Sequence, residues 1–287
     1  MSELALQTRG LVKTYGTRKQ SYNAVDGLDL EIRHGEIFGL LGPNGAGKST
    51  TVEILEGYRD RTGGQASVLG EDPQEAGLSW RSKIGIVLQS TNDLSDLTVR
   101  ESLAIFAAYY PNPRQIDEVI ELIGLADKAD SRASALSGGL RRRLDVGLGI
   151  IGRPELLFLD EPTTGFDPDA RRQFWALIKS LNEQGTTILL TSHYLDEVEY
   201  LAHRVGVISK GQILEVNTPE LLGGREDASA IVTYRDGAGQ TVKISTDEPT
   251  RVVADLAAEH GELSELTVAR PTLEDIYLQM IGKNNSE

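Results

Sequence analysis

A glycine-rich stretch, GPNGAGKST, occupies residues 42–50 and has the composition of a loop that wraps around phosphate. Its glycines let backbone amides turn toward phosphate oxygens, and the helix predicted to follow adds the positive end of its dipole. Lys48 would reach the β- and γ-phosphates of a nucleotide, Ser49 would offer its hydroxyl to Mg²⁺, and Thr50 would help to hold the α-phosphate. The predicted phosphate-binding residues are Gly42, Pro43, Asn44, Gly45, Ala46, Gly47, Lys48, Ser49 and Thr50. The alternative, a glycine-rich turn without a ligand, is disfavoured because the loop joins a predicted strand to a predicted helix.

Two carboxylates follow a second apolar run. The segment LLFLDEP places Asp160 directly after four apolar residues, 156–159, and Glu161 comes next. Asp160 could orient a water molecule bound to Mg²⁺, and Glu161 could polarise a water molecule that attacks the γ-phosphate. Alone, the pair could be an acidic turn at a strand end. Together with the lysine-containing loop, it indicates a site for a nucleotide and Mg²⁺.

A second phosphate-type loop lies in LSGGLRRRL, residues 136–144. Ser137 offers a hydroxyl, Gly138 and Gly139 offer unhindered amides, and a helix with a basic first turn is predicted to follow. A helix-capping turn explains the same residues without a ligand, and without the other motifs it would be preferred. One chain thus carries two loops suited to the same kind of ligand.

Short apolar runs alternate with helical patterns in the larger, N-terminal part of the chain. The predicted strands are 28–32, 36–41, 84–88, 156–159 and 187–190. The predicted helices are 48–57, 98–109, 114–124, 140–151 and 169–184. Buried strands that alternate with helices predict an α/β fold with a mostly parallel sheet.

The composition changes after about residue 222, where LGGRED, residues 222–227, is a predicted linker. Beyond it, the predicted strands are 228–234, 240–245 and 263–269, and the predicted helices are 249–260 and 272–281. We therefore predict a nucleotide-binding domain at 1–222 and a small α+β accessory domain at 223–287.

The composition argues against several classes of protein. No apolar run approaches the roughly 20 residues of a membrane span, and the start, MSELALQTRG, lacks a signal-peptide pattern, so we expect a cytoplasmic protein. The chain has no cysteine and its four histidines form no close ligand pair, which argues against structural zinc. The net charge of −14 argues against binding through broad electrostatics to nucleic acid, which is not an expected partner.

The motifs GPNGAGKST, LSGGL, LLFLDEP and TSH, in this order, resemble those of the ATP-binding subunit of ABC transporters. The resemblance covers roughly residues 4–222. It implies a P-loop NTPase fold with a RecA-like, mostly parallel sheet and a helical signature subdomain at about 91–150. It also implies ATP and Mg²⁺ as cofactors, a separate membrane permease as a partner, and a second ATP-binding subunit, giving a homodimer.

This resemblance gives the second loop a function. In the family, two subunits pack head to tail, and the signature loop of one closes over the ATP held by the other. Ser137, Gly138 and Gly139 would then contact the γ-phosphate in trans. ATP would favour the closed pair because only that state gains the second set of phosphate contacts.

Four further residues match the family one by one. Gln89 matches a glutamine that contacts Mg²⁺ or water and senses the transporter, and His193 matches the histidine that contacts the γ-phosphate and steadies Glu161. Asp167 matches the aspartate of a loop that crosses the dimer interface, and Tyr15 matches an aromatic residue that stacks on adenine. Three of the four also have a plain structural interpretation: Gln89 as a surface residue, His193 as a satisfied strand-end histidine and Tyr15 as a half-buried strand-end tyrosine.

The sequence departs from the family pattern at two positions. Leu140 stands where the signature usually has glutamine, and Phe166 stands where leucine usually precedes the aspartate. The apolar residue followed by Arg141–Arg143, and the tail PTLEDIYLQMIG at 271–282, resemble the daunorubicin-resistance-like exporters of drugs, lipids and polysaccharides. Taken alone, the three arginines would be a solvated helix face.

The leading hypothesis is an ATP-hydrolysing subunit on the inner face of the membrane that powers export of a drug, lipid or other hydrophobic compound. One alternative is a non-transport ABC-type ATPase that acts on ribosomes or DNA, although such proteins usually carry two ATPase units or a long coiled coil. Another is a regulatory nucleotide-binding module without turnover, against which the presence of both Glu161 and His193 argues.

Overall fold

The computed structural model describes residues 3–17, 20–87 and 96–286. The chain divides into two compact units, Met1–Val216 and Asn217–Glu287. Each unit has its own sheet and its own buried side chains. Along the described residues, no helix is long and apolar enough to cross a membrane.

A six-stranded sheet forms the centre of the first unit. Its strands are β3 (Ile37–Leu41), β5 (Ile84–Val87), β6 (Leu156–Asp160), β7 (Thr187–Thr191), β8 (Arg204–Ser209) and β9 (Gln212–Asn217). Their order is β5-β6-β7-β3-β8-β9. The pairs β5–β6, β6–β7, β7–β3 and β3–β8 are parallel, as predicted for an α/β fold.

Both faces of this sheet are buried, which explains why its strands are continuous apolar runs. Alternate residues of a strand point to opposite faces. In β6, Leu157 and Leu159 therefore join one hydrophobic core, while Leu156 and Phe158 join the other. The sheet is held between these two cores.

Helices cover the first of the two cores. The helices of the unit are α1 (Lys48–Leu55), α2 (Leu78–Arg81), α3 (Val99–Ala107), α4 (Ile116–Leu122), α5 (Gly138–Ile150), α6 (Pro168–Glu183) and α7 (Leu195–Leu201). Residues of α3, α4, α5 and α6 fill the core that contains Leu157 and Leu159. The predicted helices are all present, and the signature helix α5 begins two residues earlier than the predicted start at 140.

A three-stranded antiparallel sheet contributes to the second core. It consists of β1 (Leu4–Thr17), β2 (Gln20–Arg33) and β4 (Gly63–Val68) in the order β2-β1-β4. Residues of β1 and β2, with Trp80 from α2, pack there against Phe38 and Leu40 of β3. In this sheet only residues 28–32 of β2 were predicted from the sequence. Strand β1 was not predicted, because register shifts along it interrupt its apolar alternation.

The second unit has a separate antiparallel sheet. Its strands are β10 (Ala230–Arg235), β11 (Thr241–Thr246) and β12 (Ser264–Ala269), in the order β11-β10-β12. Its helices are α8 (Pro249–His260) and α9 (Leu273–Ser286). This is an α+β arrangement in which every predicted strand and helix is present.

The segment predicted as a linker is packed within the second unit. Leu222 has no exposed surface, and a Cβ on Gly223 would lie 2.5 Å from the Ile276 side chain of α9. Because this segment rests on α9, the division between the units falls before it, at Val216 and Asn217.

Candidate functional site

The phosphate loop follows β3, and two of its glycines are required by its surroundings. Gly47 has φ of 106°, and a Cβ there would lie 2.3 Å from the carbonyl oxygen of Ala24. A Cβ on Gly42 would lie 2.4 Å from the carbonyl oxygen of Ile208. Larger residues at these two positions would push the loop away from β2, which contains Ala24, and from β8, which contains Ile208. The two glycines therefore fix the curvature of the loop.

Backbone hydrogen bonds fix the base of the loop. The amide of Gly211, in the turn between β8 and β9, donates to the carbonyl of Ala46 over 2.9 Å. The carbonyl of Gly211 accepts from the amide of Asp26 in β2, also over 2.9 Å. The loop is therefore joined to the parallel sheet and to the antiparallel sheet.

Lys48 crosses the loop that precedes it. Its Nζ donates to the carbonyl oxygens of Gly42 at 2.6 Å and Pro43 at 3.2 Å. Burial lowers the pKa of Lys48, and the charges of Glu161 and Asp160 partly offset this effect. The ammonium group is thus held between the loop and two carboxylates, where a phosphate could replace its carbonyl partners.

Asp160 is the last residue of β6, and its neighbour on β7 is Thr191. The Thr191 hydroxyl donates to Oδ1 of Asp160. Thr191 is 1% exposed, so this hydrogen bond is shielded from water. It fixes the direction of the Asp160 carboxylate at the edge of the sheet.

Glu161 has a left-handed backbone, with φ of 44°, which is strained for a residue with a long side chain. Its amide donates to the carbonyl of Thr191 at 3.1 Å and to the Thr191 hydroxyl oxygen at 3.2 Å. Nδ1 of His193 lies 3.4 Å from Oε2 of Glu161. The strained backbone turns the carboxylate toward the histidine that follows β7.

A buried carboxylate supports the loop that carries His193. Ser192 Oγ donates to Oε2 of Glu197 at 2.6 Å, and Trp175 Nε1 in α6 donates to Oε1 at 3.1 Å. Burial raises the pKa of Glu197, and these two hydrogen bonds oppose the rise. Glu197 therefore ties the residue before His193 to helix α6.

The oxygen donors at this edge suit Mg²⁺. Ser49 supplies a hydroxyl at the exposed start of α1, and Asp160 supplies a carboxylate. Hard oxygen ligands are those that Mg²⁺ prefers, with water and nucleotide phosphates completing its coordination. In the ranges that the structure describes, no group of three or more His, Asp or Glu side chains could hold a metal ion. Ser49 and Asp160 are thus the residues that could hold Mg²⁺ bound with a nucleotide.

Ser137 caps helix α5, and its Oγ accepts from the amide of Leu140 at 3.4 Å. Because the hydroxyl oxygen accepts, its proton stays available for another acceptor. A Cβ on Gly139 would make ordinary contacts with Ala170 and Phe166. The signature residues thus lie beside the segment that begins α6.

Asp167 caps helix α6, where its carboxylate accepts from the amide of Ala170 at 2.8 Å. The two departures from the family pattern nearby have a packing role. Phe166 is 9% exposed and stands edge-on to Phe174, with ring centres 5.6 Å apart. Leu140 packs against the same hydrophobic core.

Tyr15 lies near the end of β1 in a small cluster of aromatic and basic side chains. Its ring stacks on Tyr22, the residue opposite on β2, with ring centres 5.7 Å apart. Lys13 and Arg59 place cationic groups over the Tyr15 ring at 5.3 Å and 5.4 Å. The cluster could stack a base and attract an anion. Gln89, the remaining predicted site residue, lies outside the described residues.

Sequence reasoning missed three residues that shape the site. Thr191 stands in the quoted motif TSH but was given no role, and Glu56 carried no motif signal. The interpretation of Arg141–Arg143 as a solvated helix face is wrong for Arg142, which is 7% exposed. A helical pattern indicates the faces of a helix, but it does not reveal buried hydrogen-bond acceptors in another segment.

Known proteins are similar in sequence to this chain over nearly its whole length. The family profile described as ABC transporter matches residues 25–164. The daunorubicin/doxorubicin resistance ATP-binding protein DrrA of Streptomyces peucetius is 37% identical, over 97% of this chain and 92% of that protein. The Nod factor export ATP-binding protein I of Rhizobium sp. (strain N33) is also 37% identical, over 99% of each chain.

Solved structures share the fold. The ADP conformation of MJ1267, an ATP-binding cassette of an ABC transporter, has a TM-score of 0.68 at 24% identity and covers 76% of this chain and 92% of its own. The dimeric post-hydrolysis state of the cassette MJ0796 with ADP and Pi has a TM-score of 0.67 at 22% identity, over 74% and 98%. A structure titled as the ATP binding subunit of an ABC transporter covers 96% of this chain and 99% of its own, with a TM-score of 0.70 at 20% identity.

Glu56, at the end of α1, generates a prediction about pH. Burial, with smaller contributions from the charges of Asp160 and Glu53, raises the pKa of Glu56 to about 8 from its ordinary value of 4.5. The folded protein therefore keeps a proton that the unfolded chain releases above its own pKa. The resulting stability is fully present below about pH 4.5 and is lost as the pH rises toward 8.

Glu56→Gln should remove this pH dependence. Between about pH 5.5 and about pH 7.5, the free energy of unfolding of the wild type should fall relative to the variant by roughly 2–3 kcal/mol, because one linked proton contributes about 1.4 kcal/mol per pH unit. Urea denaturation without nucleotide measures the difference. Glu183→Gln, at an exposed position of α6, serves as the control and should follow the wild type. A Glu56→Gln difference independent of pH would contradict the prediction.

Proposed function

The chain belongs to the family of ABC transporter ATP-binding subunits, and we propose that two copies close around ATP and hydrolyse it to drive a separate membrane permease. Each copy would supply the phosphate loop and the carboxylates of one site and the signature loop of the other. The proposed ligand is ATP with Mg²⁺.

The observation that carries this proposal is the open space around Gly138. It is the first residue of α5, and a Cβ there would meet no atom of the described residues within 4 Å. Neither a positive φ nor packing within the described residues requires a glycine here, and a phosphate group that approaches the backbone closely from outside the chain would account for it.

The neighbouring residues support a contact surface for a second copy. Ser137, Gly138 and Asp167 are exposed. The Ser137 hydroxyl keeps a proton to donate, and two helices present their N-termini, which favour negative charge, at this part of the surface. ATP held by another copy has the charge that such a surface attracts.

Each residue of the site would have its own role in binding or hydrolysing ATP. Lys48 would neutralise the β- and γ-phosphates, Ser49 and Asp160 would hold Mg²⁺, which supplies charge stabilisation when bound, and Tyr15 would stack on adenine. Glu161 would take the proton of the attacking water, and His193 would hold the Glu161 carboxylate and reach the γ-phosphate. Gln89 would complete the metal and water contacts.

Export is the proposed direction of transport. The relatives that match nearly the whole chain are named for drug resistance and for Nod factor export. Their cargoes differ, so the shared feature is an export motor rather than one substrate. We propose a drug, lipid or other hydrophobic cargo bound by the permease, with the chain peripheral on the inner face of the membrane.

Glu161→Gln should keep ATP binding and lower turnover by at least about a hundredfold, because general-base catalysis contributes on the order of 10²–10⁴ in rate. The variant should accumulate as an ATP-bound dimer. Phosphate release and size-exclusion chromatography with ATP measure both effects. Glu155→Gln, at an exposed position just before β6, is the control and should behave as the wild type. Turnover at the wild-type rate in Glu161→Gln would refute the assignment of the base.

The cellular partner can be identified with the Glu161→Gln chain carrying an affinity tag. Purified in ATP from detergent-solubilised membranes and from ribosome fractions of its own organism, it should retain one integral membrane protein at a fixed ratio. The same membrane protein should be lost when Lys48→Ala is added. Recovery with ribosomes instead would support the non-transport alternative and contradict the proposal.

A further inference from the structure

The side chain of Arg142 reaches from the signature helix to the strand that carries the acidic pair. Its Nη2 donates to the carbonyl oxygen of Asp160 at 2.7 Å, and its Nε donates to the carbonyl oxygen of Pro162 at 3.0 Å. Arg142 is the first buried residue of α5, five positions after the exposed cap Ser137. One helix thus joins the signature loop at the surface to a buried contact under the hydrolytic site.

The two carbonyls accepting from Arg142 lie on either side of Glu161. The amide of Glu161 is itself bonded to Thr191. Three backbone groups around one residue are therefore held by partners from α5 and β7. These contacts support the left-handed backbone of Glu161, since a strained conformation of this kind persists only where the surrounding structure holds it.

Burial of the guanidinium indicates that its position is specified. Arg142 Nη1 lies 3.9 Å from Oδ2 of Asp145, one turn further along α5, where both side chains are nearly enclosed. Burial lowers the pKa of Arg142, and the charges of Asp145, Asp160 and Glu197 oppose this effect. The planar fork of arginine can donate to two separate carbonyls at once, which the single ammonium group of lysine does less well.

We propose that Arg142 is a positioning residue for hydrolysis: it holds the backbone around Glu161 so that the carboxylate faces the attacking water. Because Arg142 is part of α5, the place of Glu161 is set by the signature helix of the same chain. A shift of that helix on contact with a second copy would move the carboxylate of its own site. The inference rests on the proposed function of Glu161 as the base.

The test compares Arg142→Gln with the wild-type chain. Loss of the Arg142 guanidinium and its two hydrogen bonds should lower kcat by about tenfold or more. The affinity for labelled ATP should stay unchanged, since the phosphate loop keeps its own contacts. The ATP-bound dimer should form and persist longer than in the wild type. Arg142→Lys should recover part of kcat. Arg143→Gln, which changes the next residue, bonded to Gln173 near the surface, should keep the wild-type kcat.

A second variant separates positioning from folding. Arg142→Gln leaves the carboxylate of Asp145 without this cation, which can destabilise the fold by itself. Arg142→Gln combined with Asp145→Asn removes both charges, so it should unfold nearer to the wild-type temperature while kcat stays low. Wild-type kcat in the folded double variant, or a fall that matches a loss of ATP affinity, would overturn the inference.

The outcomes also distinguish this inference from the proposed function. Slow turnover in Glu161→Gln with wild-type turnover in the Arg142 variants refutes only the positioning role. Wild-type turnover in Glu161→Gln refutes the base assignment and the inference that depends on it.

Discussion

The carboxyl ends of parallel strands meet at one edge of a sheet, and the site of this protein depends on that constraint. The phosphate loop follows β3, the acidic pair ends β6, and His193 follows β7. These strands are hydrogen-bonded neighbours in the order β6-β7-β3. Three segments far apart in sequence are thereby placed together at this edge of the sheet.

Hydrogen bonds then orient the charged side chains at this edge. Thr191 bonds to Asp160 and to the amide of Glu161, while Lys48 lies across the phosphate loop. Arg142 supports the strained backbone of Glu161 by hydrogen bonds to the carbonyl oxygens of Asp160 and Pro162 on either side of it. In such a preorganised arrangement, little reorganisation is needed when a nucleotide binds, which is where electrostatic catalysis gains its effect. The side of the bound nucleotide that faces solvent would still need hydrogen-bond donors to the γ-phosphate and shielding from water. We infer that the signature loop of a second copy supplies both.

The sequence predicts the features that depend on a single segment. The phosphate loop, the parallel strands β3, β5, β6 and β7, and the helices α8 and α9 were predicted because each has a local pattern of glycine, apolar or capping residues. The parallel strand β8 was not predicted. Contacts between two segments were not predicted where no sequence motif indicates them. The burial of Arg142 depends on carbonyls twenty residues or so away, and β1 was missed because its register shifts break the strand pattern. The raised pKa of Glu56, at the end of helix α1, depends on its burial and on the charge of Asp160, which lies at the end of strand β6.

The central claim is that the signature loop acts on ATP held by a second copy, and mixing two defective chains tests it most directly. Ser137→Arg keeps its own phosphate loop but spoils the site of its partner, whereas Lys48→Ala cannot hold its own ATP. If the signature loop acts in trans, a mixed dimer has one site with both defects and one site with neither. ATP-dependent dimerisation should therefore return in the mixture, although each variant alone fails to dimerise. If the mixture, shown by two distinct tags to contain both chains at equal concentration, stays monomeric with ATP, the signature does not act in trans.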